Sequence, residues 1–120
     1  MRTMYATYKE YHTSLDNRDF ISFPALKESV DVYERVCQLL DANRTYRNTI
    51  MFGEPQLGKR GLYPTVGGPK QVAEEIEDMM WLLNLADGQN DLLHIAERSG
   101  KDFFKLHEIA KRCVDKGVLA

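Results

Sequence analysis

Asn90-Asp91-Leu92-Leu93-His94-Ile95-Ala96-Glu97-Arg98-Ser99-Gly100-Lys101-Asp102-Phe103 is the stretch whose reading decides the fold. Asn90 caps a short helix predicted over Asp91 to Arg98, with Leu92, Leu93, Ile95 and Ala96 as its apolar residues. Ser99-Gly100-Lys101 reads as a tight turn, and Asp102 as the cap of a further helix running to about Lys116. Phe103, Leu106, Ile109, Ala110, Cys113 and Val114 point inward from that helix, and Gly117 closes it. Short helix, Gly-containing turn and longer helix together make the signature of a helix-turn-helix. Val118-Leu119-Ala120 has the composition to begin a wing strand.

A longer helix is predicted upstream, from Lys70 to Asp87, where Asp87-Gly88 stops it. Its apolar face holds Val72, Ile76, Met79, Met80 and Leu83, widened by Trp81 and Leu82. Glu74, Glu75, Glu77 and Asp78 sit in its N-terminal half, where the helix dipole favours negative charge. Val66-Gly67-Gly68-Pro69 is the clearest boundary in the chain, so domains are expected at residues 1–68 and 69–120.

In the first of these, Ser22 and Pro24 open a helix expected to end near Asn43 in a left-handed terminal conformation. Leu26, Val30, Tyr33, Val36, Cys37 and Leu40 lay one apolar stripe along it, whose expected role is packing. Residues 1–11 read as a short strand or extended lead, and Thr49-Ile50-Met51-Phe52 as another short strand. Gly53 to Lys59 matches the Gly-x4-Gly-Lys core of a phosphate loop, but Arg60 stands where a magnesium-binding hydroxyl is needed. Gly61-Leu62-Tyr63-Pro64 follows where a helix N-terminus must offer amides, and the chain is short for a nucleotide-binding sheet. Nucleotide binding is therefore set aside, and Lys59 and Arg60 are read as solvated residues of a connector, with loop contact to substrate or a domain interface as the sharper alternative.

Composition narrows the function classes. The 120 residues carry a net charge of −2, which supplies no global field for nucleic acid or an anionic membrane. From residue 70 onward there are seven Lys/Arg against ten Asp/Glu, and the last helix lacks an Arg/Asn/Gln cluster suited to reading bases. DNA is thus disfavoured against a protein-interaction or packing role. Cys37 and Cys113 each fall on an apolar helix side, the pattern of buried reduced thiols in a cytoplasmic protein. No signal peptide or membrane-spanning stretch is apparent. His94 and His107 have no Cys or His at a ligand spacing and read as ordinary partly exposed histidines.

Tyr11-His12-Thr13-Ser14-Leu15-Asp16-Asn17 is different in context. An imidazole held by an oxygen acceptor is a good zinc ligand, and a neighbouring tyrosine can donate to an oxyanion. One histidine and one carboxylate still fall short of the three or four ligands zinc requires. Tyr8-Lys9-Glu10-Tyr11-His12-Thr13-Ser14-Leu15-Asp16-Asn17 and Gly53-Glu54-Pro55-Gln56-Leu57-Gly58-Lys59-Arg60-Gly61-Leu62-Tyr63-Pro64-Thr65 resemble two motifs of one family. That family is the zinc aminopeptidase-like proteins associated with bacterial surface-polysaccharide genes, within the di-zinc aminopeptidase superfamily. Lys9 departs from it, standing where the family usually has Pro.

The resemblance covers essentially the whole chain but only the last part of the family. It implies an α+β, helix-rich fold: a small peptidase-tail subdomain followed by a C-terminal winged-helix-like three-helix module. It implies His12 as a metal ligand and Tyr11 as an oxyanion-stabilising hydroxyl; the residues themselves mark Asp16, and more weakly Thr13 and Ser14, as turn supports through local side-chain hydrogen bonds. Core packing is the plainer alternative for Tyr11. Zinc belongs to the full-length family, whose other ligands and catalytic glutamate lie outside these residues, so no cofactor and no catalysis are expected of this chain alone. The expected partners are a second copy or a separately encoded aminopeptidase-like chain. A winged-helix DNA-binding regulator and a protein-interaction adaptor are the alternatives.

Overall fold

The computed structural model of the chain describes residues 3–63 and 69–120. The elements run α1 (Phe23–Ala42), β1 (Thr45–Arg47), α2 (Pro69–Leu85), β2 (Asp87–Asp91), α3 (Leu92–Ser99) and α4 (Phe103–Asp115). This is the helix-rich α+β class expected. Two compact units divide at Leu40 and Asp41. The expected boundary at Val66-Gly67-Gly68 lies outside the described residues, but residues 45–62 belong to the same compact unit as the three-helix module. They do so because the chain after α1 supplies the module with a strand.

That strand is β1. It pairs antiparallel with β2, Thr45 opposite Asp91 and Arg47 opposite Asp87, with an irregularity between. On its other side Arg47 donates its amide to the Ala120 carbonyl at 2.8 Å and accepts from the Ala120 amide at 2.9 Å. Asn48 bridges to Leu119, so the end of the chain does turn back as an extended segment. The strand thus lies at residues 45–47, four positions before the expected Thr49–Phe52, where Met51 and Phe52 are exposed. Tyr46 is the residue that turns inward, and its burial raises its phenol above the ordinary pKa.

β2 is a strand where the residues predict only a helix stop and a cap. Gly88 takes φ 85°, and the Asp87 carboxylate accepts from the amides of Gln89 and Asn90 at 2.8 and 3.0 Å. The Asp87-Gly88 pair therefore ends α2 as expected and at once starts the sheet. These two hydrogen bonds hold the Asp87 carboxyl below its ordinary pKa.

Helices α2, α3 and α4 enclose the core, where Met79, Leu82, Leu92, Ile95, Leu106 and Cys113 are fully buried. Met79 and Leu83 are buried on α2 as expected, with Leu82 widening the face, while Met80 is exposed. Leu93 and Val114, expected to point inward, are exposed.

The caps carry the turn. Asp91, one residue past the predicted Asn90, accepts from the His94 amide at 2.8 Å, and Asp102 accepts from the Lys105 amide at 2.9 Å. Between them Gly100 sits in the left-handed region at φ 68°, returning its amide to the Ala96 and Glu97 carbonyls. Asn43 closes the frame from a distance. Instead of the left-handed terminus expected of it, it donates its side-chain amide to Asp91 at 2.9 Å and accepts from the Leu93 amide at 2.9 Å.

The unit before Leu40 is built differently. Residues 3–20 form successive turns rather than a strand, closed by amides three residues apart such as Tyr11 to Tyr8 and Thr13 to Glu10. Helix α1 starts as expected: the Leu26 amide donates to the Ser22 carbonyl, and the Ala25 amide to the Ser22 hydroxyl. Yet no residue of α1 is buried. The stripe expected to pack is open to solvent, and Cys37 is exposed with it, while Cys113 alone meets the expectation of a buried thiol.

Two outcomes follow from this architecture. Replacing Asp91 by Ala costs about 1 kcal/mol at neutral pH, the ordinary value of a lost cap, read from the urea midpoint. The His94 amide and the Asn43 side chain hold the Asp91 carboxyl below its usual pKa, so its contribution is present above the unfolded carboxylate value. The difference between wild type and D91A therefore shrinks as pH falls through the folded pKa. Second, burial pushes the Cys113 thiol up to about 11, so in dilute native protein Ellman's reagent labels Cys37 alone, and Cys113 reacts only after denaturation.

Candidate functional site

His12 occupies the left-handed region at φ 58°, a conformation a non-glycine residue adopts at some cost. Its ring stacks on Tyr11, centroids 3.9 Å apart and 17° from parallel, within an aromatic group that includes Tyr5, Tyr8 and Phe20. Tyr11 is half-buried there and His12 exposed. Thr13 supports the turn: its hydroxyl donates to the Glu10 carbonyl at 2.8 Å and accepts from the Leu15 amide at 3.2 Å. Asp16 closes a turn through its backbone amide onto the Thr13 carbonyl, at 3.2 Å. The side-chain turn expected of Asp16 is made by Asn17, whose amide oxygen accepts from the Asp19 amide at 2.9 Å.

Zinc can be tested against these groups. Among the described residues, no set of three or more His, Cys, Asp or Glu is placed to hold a metal ion. The residues present do not fit a zinc centre on their own.

The loop after β1 resolves the second motif. Leu57 and Leu62 are buried and anchor it, and Gly53, Gln56 and Gly61 take positive φ. A turn over residues 57–61 stands where a phosphate loop needs a helix, so the Gly-x4-Gly-Lys match lacks its geometry. Arg60 is not the solvated residue expected. Its guanidinium donates to the Pro55 carbonyl and to the Lys116 carbonyl, each at 2.9 Å, clamping the loop to the end of α4. Lys59 is exposed and lines a cleft of about 700 Å³ with Thr49, Met51, Phe52 and Arg60.

The helix-turn-helix presents its cations in a form that residue counting does not foresee. Lys101 lies 3.1 Å from Glu77 and 3.2 Å from Asp78, which is itself buried. Hydrogen bonds to Glu77 first, and then to Asp78, raise the ammonium above its ordinary pKa despite opposing desolvation. Arg112 pairs with Glu75, and Lys111 with Glu108 at 3.2 Å. The acidic residues of α2 thus lie beyond its first turn, Glu75 paired with Arg112 of α4, Glu77 and Asp78 with Lys101 of the turn, and Glu74 with Lys70 of α2 itself. Between the two helices opens a cleft of about 650 Å³, whose lining includes Glu74, Glu75, Asp78, Glu108, Phe104 and Arg112. A single sequence offers no signal for the Lys101 and Arg112 pairings, which join residues remote in the chain, whereas Lys111–Glu108 is a local pair three residues apart.

Comparison with known proteins places this architecture. A family model described as winged helix-turn-helix matches residues 44–120, and one described as a domain of unknown function matches residues 1–43. A Clostridium acetobutylicum protein named for polysaccharide biosynthesis with an aminopeptidase-like domain is 41% identical over 106 residues, which is 88% of this chain and 24% of that one. A crystal structure from Clostridium acetobutylicum, named as a peptidase, superposes with a TM-score of 0.78 at 34% identity, covering 94% of this chain and 24% of that one. The chain therefore spans about a quarter of the length of the relatives it matches. Its described residues contain no helix long and apolar enough to cross a membrane. With three helices, the Gly100 turn and the returning terminus all inside residues 44–120, the chain belongs to the winged helix-turn-helix family.

Proposed function

We propose that this chain acts through protein association, as the helix-turn-helix-bearing portion of an aminopeptidase-like protein, and that it does not hydrolyse peptide bonds by itself. The observation that carries this reading is the isolation of His12, which stacks on Tyr11 with no further set of ligands assembled beside it among the described residues. A metal that activates water needs three protein ligands and an open position. Any hydrolytic site to which His12 and Tyr11 contribute draws its other ligands and its glutamate from polypeptide outside these 120 residues. The relatives, about four times as long, support the aminopeptidase-like setting. The buried, high-pKa Cys113 thiol suits a reducing, cytoplasmic environment.

DNA binding is the competing reading, and the helix-turn-helix itself favours it. The pairing of cations weighs against it: Lys101, Lys111 and Arg112 are each engaged by a carboxylate, although Lys105 and Lys116 are exposed. The adaptor reading needs no positive surface.

Calorimetric titration of the whole chain with zinc, paired with an aminoacyl-anilide hydrolysis assay, tests the catalytic part. No stoichiometric binding and no turnover are expected. A tight one-to-one zinc complex that releases anilide overturns the reading. Duplex DNA titrated at rising salt tests the rest: an affinity that falls steeply and linearly in log–log form assigns the helix-turn-helix to DNA instead.

A further inference from the structure

We infer that residues 49–62 act as a clasp, with Arg60 as its catch, that couples the open cleft beside Phe52 to the C-terminal end of α4. The inference goes beyond the association reading and borrows nothing from it. A helix ends in carbonyls that have no partner within it, and other groups must satisfy them. At the end of α4 those groups come from far back in the chain. The Arg60 guanidinium donates to the Lys116 carbonyl at 2.9 Å. The Thr49 hydroxyl lies 2.8 Å from the Gly117 carbonyl and 3.0 Å from that of Val118, which also receives the Thr49 amide at 3.0 Å. Three successive carbonyls, where α4 gives way to the returning terminus, thus face donors from the clasp.

The clasp has a fixed half and a yielding half. Leu57 and Leu62 are buried, and the Leu62 amide donates to the Leu57 carbonyl at 3.0 Å, so the loop is seated by apolar contact whatever Arg60 does. Arg60 is only half-buried, and the acceptors it grips, on Pro55 and Lys116, are neutral carbonyls. Such bonds are weaker than those to a carboxylate, and water competes for the exposed one at Lys116. The catch can therefore open while the core stays folded.

The same two residues belong to the cleft of about 700 Å³, which they line with Met51, Phe52 and Lys59. Thr49 and Arg60 therefore do two jobs at once: they wall the cleft, and they finish α4. The segment they steady continues to Ala120, whose backbone exchanges hydrogen bonds with Arg47, so loosening it also uncovers the edge of β1 that Ala120 occupies. Coupling through shared contacts runs both ways. A rearranged cleft loosens the terminus, and a displaced terminus reshapes the cleft.

Native-state hydrogen exchange of the whole chain at low urea, read amide by amide by NMR, tests the inference. In wild type the amides of Gly61 and Leu62 in the clasp, and of Val118 and Leu119 beyond α4, open together. They share one opening constant and one urea dependence, and they open more readily than the buried Leu82 of α2. Arg60→Ala and Thr49→Val each raise the opening constants of Val118 and Leu119 by about fivefold or more, the loss of one ordinary hydrogen bond, although neither substitution lies in α4 or the terminus. Arg60→Lys, which keeps the charge but not the planar fork, gives the same change in smaller measure. Clasp and terminal amides with separate urea dependences in wild type overturn the inference, and that comparison needs no variant to fold. So does an Arg60→Ala chain in which Gly61 and Leu62 open faster while Val118 and Leu119 keep their wild-type rates. None of these results bears on the zinc, hydrolysis and DNA outcomes, so failure here is separable from failure of the broader reading.

Discussion

Strand β1 is three residues long, and the larger unit is assembled around it. Arg47 exchanges two backbone hydrogen bonds with Ala120 on one side and faces Asp87 on the other, so one residue joins the chain's last segment to the strand that leads into the helix-turn-helix. Asn48 extends the stitching, donating its amide to the Ala86 carbonyl at 2.7 Å and its side chain to Leu83. Two strands alone make a marginal sheet in water, and this one is held because each edge carries a piece of the three-helix core. The segment between α1 and the loop pairs with β2 on one edge and with the returning terminus on the other.

The electrostatics follow from the same packing. Once α2 lies along α4, its Glu75 falls opposite Arg112, and its Glu77 and Asp78 opposite Lys101 in the turn before α4. Partly exposed ion pairs of this kind add little stability individually. What they fix is the pairing of Lys101 and Arg112 with α2, and a fold of this kind sets what can be presented and not what is bound.

The helical part is legible from residues alone because its signals are local. Asp102, Gly100 and the spacing of Phe103, Leu106, Ile109, Ala110 and Cys113 each act within a few positions, and each stands where expected. The sheet is not legible, since nothing within Thr45-Tyr46-Arg47 says that residues forty and seventy positions away will pair with it. Arg60 escapes reading for the same reason: its acceptor on Lys116 is remote in sequence. The stripe on α1 is correctly located, but periodicity marks which residues share a face and is silent on what covers it. At the His12 turn, local hydrogen bonding by Thr13 is readable, whereas the choice of Asn17 over Asp16 as the side-chain acceptor is not.

The carbonyl of Cys113 has an uncommon duty: it receives the amides of both Val118, at 2.8 Å, and Leu119, at 3.3 Å. Gly117, in the left-handed region, makes that reversal possible immediately after α4. The final three residues are therefore indexed to the last turn of the helix as teeth are to a gear. Adding one residue to α4 would advance that carbonyl by about 100° and carry the terminal segment out of register with Arg47. The length of this helix is therefore tied to the strand that its end must reach.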